Sequence, residues 1–122
     1  DLENHEDWAI KCAKKIQLNM IELNKEFEAE GLPAIKIGIG INSGEAIVGN
    51  MGSDQRFDYT AIGDAVNIAA RLESGTKAAE VDVLIGISTK QRSGSSLKEL
   101  PSIEAKGKTE KLNVYTLTKD FL

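Results

Sequence analysis

The run Phe57-Asp58-Tyr59-Thr60-Ala61-Ile62-Gly63-Asp64-Ala65-Val66-Asn67-Ile68-Ala69-Ala70-Arg71-Leu72-Glu73 decides how this chain is read. A strand-like segment ends at a Gly-Asp step, and a helix begins there and runs to about Ser74. Asp64 is the expected N-cap, because a short acidic side chain can accept hydrogen bonds from the first free amides of a helix. Asn67 and Arg71 stand four residues apart, so a helix points both the same way. An amide and a guanidinium on one face near a helix N-terminus can hold an oxygen and a phosphate together.

Working outward, Ile35, Ile37, Ile39 and Ile41 alternate with Lys36, Gly38, Gly40 and Asn42, which predicts a strand with one apolar face. The glycines predict close approach of a backbone or a ligand on the other face. A tight turn at Asn42-Ser43-Gly44 follows. Residues 45–50 and 56–62 read as two strands joined through Met51-Gly52-Ser53-Asp54. Upstream, residues 5–30 read as one long helix with a buried stripe of Ala9, Ala13, Ile16, Met20, Leu23 and Phe27, ended by Gly31 and Pro33. Downstream come a buried strand over 81–87, a short helical turn over 88–91, and strands over 97–105 and 111–117 around a polar Lys106-Gly107-Lys108-Thr109-Glu110 turn. The expected class is α+β: a mostly antiparallel sheet with helices on one face.

With 122 residues the chain is one domain or part of one, and 41% apolar residues suffice for a modest core. A net charge of −4 with scattered basic residues predicts no nucleic-acid surface. One anionic nucleotide needs only a few local cations, so overall acidity does not oppose it. The single cysteine, Cys12, leaves no internal disulfide, fits a reducing compartment, and reads as a small, partly buried apolar residue. His5 reads as an exposed first-turn residue. No apolar run approaches the roughly 20 residues of a membrane span, so no membrane contact is expected of this segment. Gly38-x-Gly40 is no dinucleotide fingerprint, since neither a third glycine nor a helix follows it.

Residues 35–44, 49–52, 59–73 and 106–117 together resemble the catalytic domain of class III nucleotidyl cyclases of bacterial type, the adenylyl and guanylyl cyclases. The resemblance implies a ferredoxin-like core, with residues 1–122 forming the C-terminal half to two-thirds of the domain. It implies that Asn67 and Arg71 stabilise the transition state of cyclisation, that Thr60 contacts the purine, and that Lys106 reaches the triphosphate, with Lys108 a close rival. The family's N-terminal part carries two metal-binding aspartates and a purine-selecting lysine that this sequence does not show. Mg²⁺ or Mn²⁺ is therefore expected on ligands outside the segment, and 1–122 alone is expected to be inactive.

Read without the resemblance, each of these residues has a plainer role. Asn67 is then a helix-surface residue and Arg71 half of a surface ion pair with Glu73 or Glu45. Thr60 is a β-branched strand residue, and Lys106 an exposed turn residue. The resemblance favours the catalytic roles. The resemblance also implies that Thr60 favours ATP, making an adenylyl cyclase the leading expectation, working as a homodimer in the cytoplasm, by itself or as the cytoplasmic domain of a larger membrane-attached or sensor protein. A guanylyl cyclase and a non-catalytic nucleotide-binding module are the alternatives.

Overall fold

A computed structural model describes residues 3–45, 47–51, 58–104 and 111–118, with the backbone alone over 47–51 and 58–62. The element order is α1 (His5–Ala29), β1 (Ile39–Ile41), β2 (Ile47–Met51), β3 (Asp58–Ile62), α2 (Asp64–Ala79), β4 (Val83–Gly86), α3 (Ile87–Arg92), β5 (Leu97–Glu104) and β6 (Lys111–Leu117). Four strands form one sheet in the order β1-β4-β6-β5, and β2 and β3 form a separate antiparallel pair. β1 runs parallel to β4, while the β4–β6 and β5–β6 pairs are antiparallel. Pro101 sits on an edge strand at the register shift between Leu100 and Ile103, where a residue without an amide proton breaks no inner ladder.

The expectation of helices on one face is corrected: α1 and α2 cover opposite faces of the sheet. On one side Ile10 and Ala13 of α1 pack with Val83, Ile85 and Tyr115. On the other, Leu72 of α2 packs with Leu84 and Val114. Successive residues of β4 therefore feed two cores, which explains why its four residues are all buried.

The expected stripe on α1 is only partly covered. Its buried residues are Glu6, Ile10 and Ala13, while Ile16 is 38% exposed. Burial follows the turns that lie over β4 and β6, and periodicity alone does not show where a sheet ends. Cys12 is exposed, contrary to expectation. The helix stops as expected: Gly31 takes φ 77° and the Leu32 amide donates back to the Phe27 carbonyl at 2.8 Å.

The strand expected from Ile35 pairs only from Ile39 onward. Asn24 explains the late start, since its side chain engages both the amide and the carbonyl of Ile35, at 2.8 and 2.9 Å, where a neighbouring strand would bond. The glycines behave as expected. A Cβ on Gly38 or Gly40 would run into Thr76 and Glu73, or into Ala69 and Glu73, so α2 lies directly on β1. α2 continues past the expected end at Ser74 to Ala79, with Gly75 passing beside Ile103 and Leu84.

Candidate active site

The site-bearing helix grows out of β3 through a single residue, Gly63. Gly63 is the N-cap, with φ 156° and ψ 166°, a conformation essentially restricted to glycine. This corrects the assignment of the cap to Asp64, which is the first helical residue. The glycine carbonyl instead receives the Val66 and Asn67 amides, at 3.1 and 3.2 Å. An acidic residue in the first turn still complements the helix dipole.

Leu72 and Ile68 hold the inner side of α2 against the sheet, Leu72 with no exposure at all. Asn67 is exposed and Arg71 half-buried, one turn apart along the helix. Among the described residues no carboxylate lies within ion-pair distance of Arg71, so pairing with Glu73 or Glu45 is not formed. The guanidinium is thus available to an external anion, and its planar fork suits a phosphate.

Thr60 lies on β3 opposite Gly49 of β2, on the strand that feeds the helix; its side chain lies outside the described residues. Lys106 and Lys108 lie outside them too, between Glu104 and Lys111, which pair across β5 and β6. The structure therefore brings Asn67 and Arg71 together and places Thr60 on the adjoining strand.

A polar cluster beneath the first turn of α2 was not foreseen. Asn42 Nδ2 donates to the Ala65 carbonyl at 3.0 Å. Ser88 Oγ lies 2.8 Å from both Asn42 Oδ1 and the Ser43 carbonyl, and accepts from the Ser43 amide at 3.3 Å. Ser43 Oγ meets the hydroxyl of fully buried Thr89 at 2.8 Å. The cluster borders a cleft of about 300 Å³ also lined by Asp64, Gly86 and Lys111. Its bonded partners are 23 to 46 residues apart, so no local pattern announces them.

Over residues 1–119 the chain matches the family described as the adenylate and guanylate cyclase catalytic domain. It is 34% identical over 113 residues to adenylate cyclase 1 of Rhizobium meliloti, covering 91% of this chain and 17% of that protein. The fold is similar to the crystal structure of the guanylyl cyclase Cya2, with a TM-score of 0.81 and 26% identity, over 99% of this chain and 63% of that one. It is similar also to the adenylyl cyclase CyaB from P. aeruginosa, with a TM-score of 0.75 and 32% identity, over 88% of this chain and 57% of that one. The α+β architecture is that of class III cyclase catalytic domains, and this chain, spanning part of the length of each relative, belongs to the adenylate and guanylate cyclase catalytic domain family.

Proposed function

We propose that residues 1–122 are the C-terminal part of an adenylyl cyclase catalytic domain that converts ATP to cyclic AMP and pyrophosphate. The observation that carries this reading is Arg71, half-buried one turn beyond Asn67 with no described carboxylate claiming its charge. In the reaction the ribose 3′-oxygen bonds to the α-phosphorus, the bond to pyrophosphate breaks, and the hydroxyl proton is released. Asn67 orients the ribose through its amide. Arg71 meets the negative charge that builds on the α-phosphate. Thr60 offers its hydroxyl to the adenine edge, and Lys106 neutralises the outer phosphates.

The family implies Mg²⁺ or Mn²⁺, but among the described residues no three His, Cys, Asp or Glu side chains gather to hold a metal. Those described residues do not fit a metal site, and on this reading its ligands come from sequence outside this segment. The exposure of Asn67 is in keeping with a second cyclase domain, a homodimer partner, closing over the site. No described helix is long and apolar enough to cross a membrane. A guanylyl cyclase is the second reading, favoured by the likeness to Cya2.

The test is turnover of ATP and GTP by the full-length protein. ATP is preferred on this reading, and Arg71→Ala lowers kcat about 100- to 1,000-fold with a far smaller change in KM. Parent-like turnover by the variant at saturating ATP overturns the catalytic role; preferential production of cyclic GMP moves the assignment to the second reading.

A further inference from the structure

Asn67 and Arg71 act only if α2 is held at one rotation and depth over β1. Helical residues are 100° apart around the axis, so a small roll of α2 swings both side chains away from a common target. Apolar contacts on Leu72 and Ile68 fix the depth of the helix but, being non-directional, fix its rotation poorly. A directional contact comes from the Asn42 amide, which donates to the Ala65 carbonyl two residues before Asn67.

That amide is itself held. Ser88 bridges Asn42 Oδ1 and the Ser43 backbone, and Ser43 joins buried Thr89 on α3. The Ser88 hydroxyl has one hydrogen, so it donates to one of its two close acceptors at a time while accepting from the Ser43 amide. The neighbouring residues leave little room for slack. A Cβ on Gly86 would meet Asn42 Oδ1, and one on Gly44 would lie 2.6 Å from Ala65 Cβ. The end of β1, the start of α3 and the first turn of α2 are thereby locked into one unit.

We infer that Asn42, oriented by Ser88, is a positioning residue that clamps the first turn of α2 and so aligns Asn67 and Arg71 on the substrate. The inference rests on the proposed function for its kinetic consequence, and on geometry alone for its mechanical one. Misplacing a reacting group by about 1 Å can cost around 100-fold in rate, so a clamp acting through geometry shows in kcat before it shows in binding.

The test uses Asn42→Asp in the full-length protein. The substitution keeps size and the acceptor toward Ser88, but turns the donor facing the Ala65 carbonyl into a second acceptor. Losing one such bond is expected to speed amide exchange across residues 65–70 about three- to tenfold, with β4 and β6 unchanged. kcat for ATP is expected to fall by at least about tenfold with KM nearly unchanged. Ser88→Ala has the same direction and stands in if Asn42→Asp does not fold. Unchanged exchange in α2, or a uniform rise over the sheet as well, overturns the clamp. Parent-like kcat despite a loosened helix overturns its role in catalysis. Arg71→Ala in the same assay separates the two ideas: if it turns over like the parent, the proposed chemistry falls while the exchange measurement still judges the clamp.

Discussion

A single carboxylate shows how local chemistry staples distant chain segments. Asp7, in the first turn of α1, accepts from the hydroxyls of Ser93 and Ser95 at 2.6 and 3.0 Å and from the Gly94 amide at 3.2 Å. The hydrogen bond from Ser93, then that from Ser95, holds its carboxyl below the ordinary value of 3.8, helped by the Gly94 amide and Lys11 and opposed by desolvation. A depressed carboxylate adds stability that is complete above the unfolded-state value and lost as pH falls through the lower folded value. The melting temperature of the parent should therefore exceed that of Asp7→Asn at neutral pH, and the gap should close below pH ~3.8. A gap of constant size across that range would remove the charge from the explanation. At this scale the shared helix face of Asn67 and Arg71 was legible, because a spacing of four needs only a helix to bring two residues to one side. Asn42 was not legible, because its partners are set by the fold and not by the chain around it.

At the scale of elements, the alternation of isoleucine and glycine in residues 35–41 announced both a strand and a close neighbour. The neighbour is the backbone of α2, which Gly40 admits against Ala69 and Glu73. Gly40→Ala should therefore destabilise the protein by at least ~2 kcal/mol, since backbone atoms cannot move aside as a side chain tip can. Urea unfolding of the variant checks this, and a midpoint equal to that of the parent would mean that α2 is not seated where described. Element boundaries were less legible than element types. α2 runs on to Ala79 through Gly75, a helix breaker by propensity, at a point where an added Cβ would come close to the side-chain tips of Ile103 and Leu84. β1 is short because Asn24 takes the bonding groups of Ile35.

For the whole molecule, the four buried residues of β4 separate two apolar clusters, one under α1 and one under α2. The site helix is thus anchored to the sheet on its inner side and presents Asn67 outward. On the proposed reading this arrangement orients a substrate, yet among the described residues it gathers no set of groups for a metal. Residues 1–122 by themselves should therefore form no cyclic AMP from ATP in the presence of Mg²⁺ or Mn²⁺, because the activated 3′-oxygen and the clamped triphosphate need a metal site. Metal-dependent product from the purified segment would show that the segment holds that site after all.

What the sequence by itself determined is the set of local decisions: the period of the helices, the alternation of β1, the Gly-Asp entry into α2, and the pair Asn67 and Arg71. Each depends on residues within a few positions of one another, so the pattern is written in the chain. Tertiary structure alone decided which face of the sheet each helix covers, how far α1 is buried, that Gly63 and not Asp64 caps α2, and that Asn42 and Ser88 meet beneath its first turn. Those outcomes join segments tens of residues apart, and such joins are set by packing and by directional bonds that exist only once the sheet has formed.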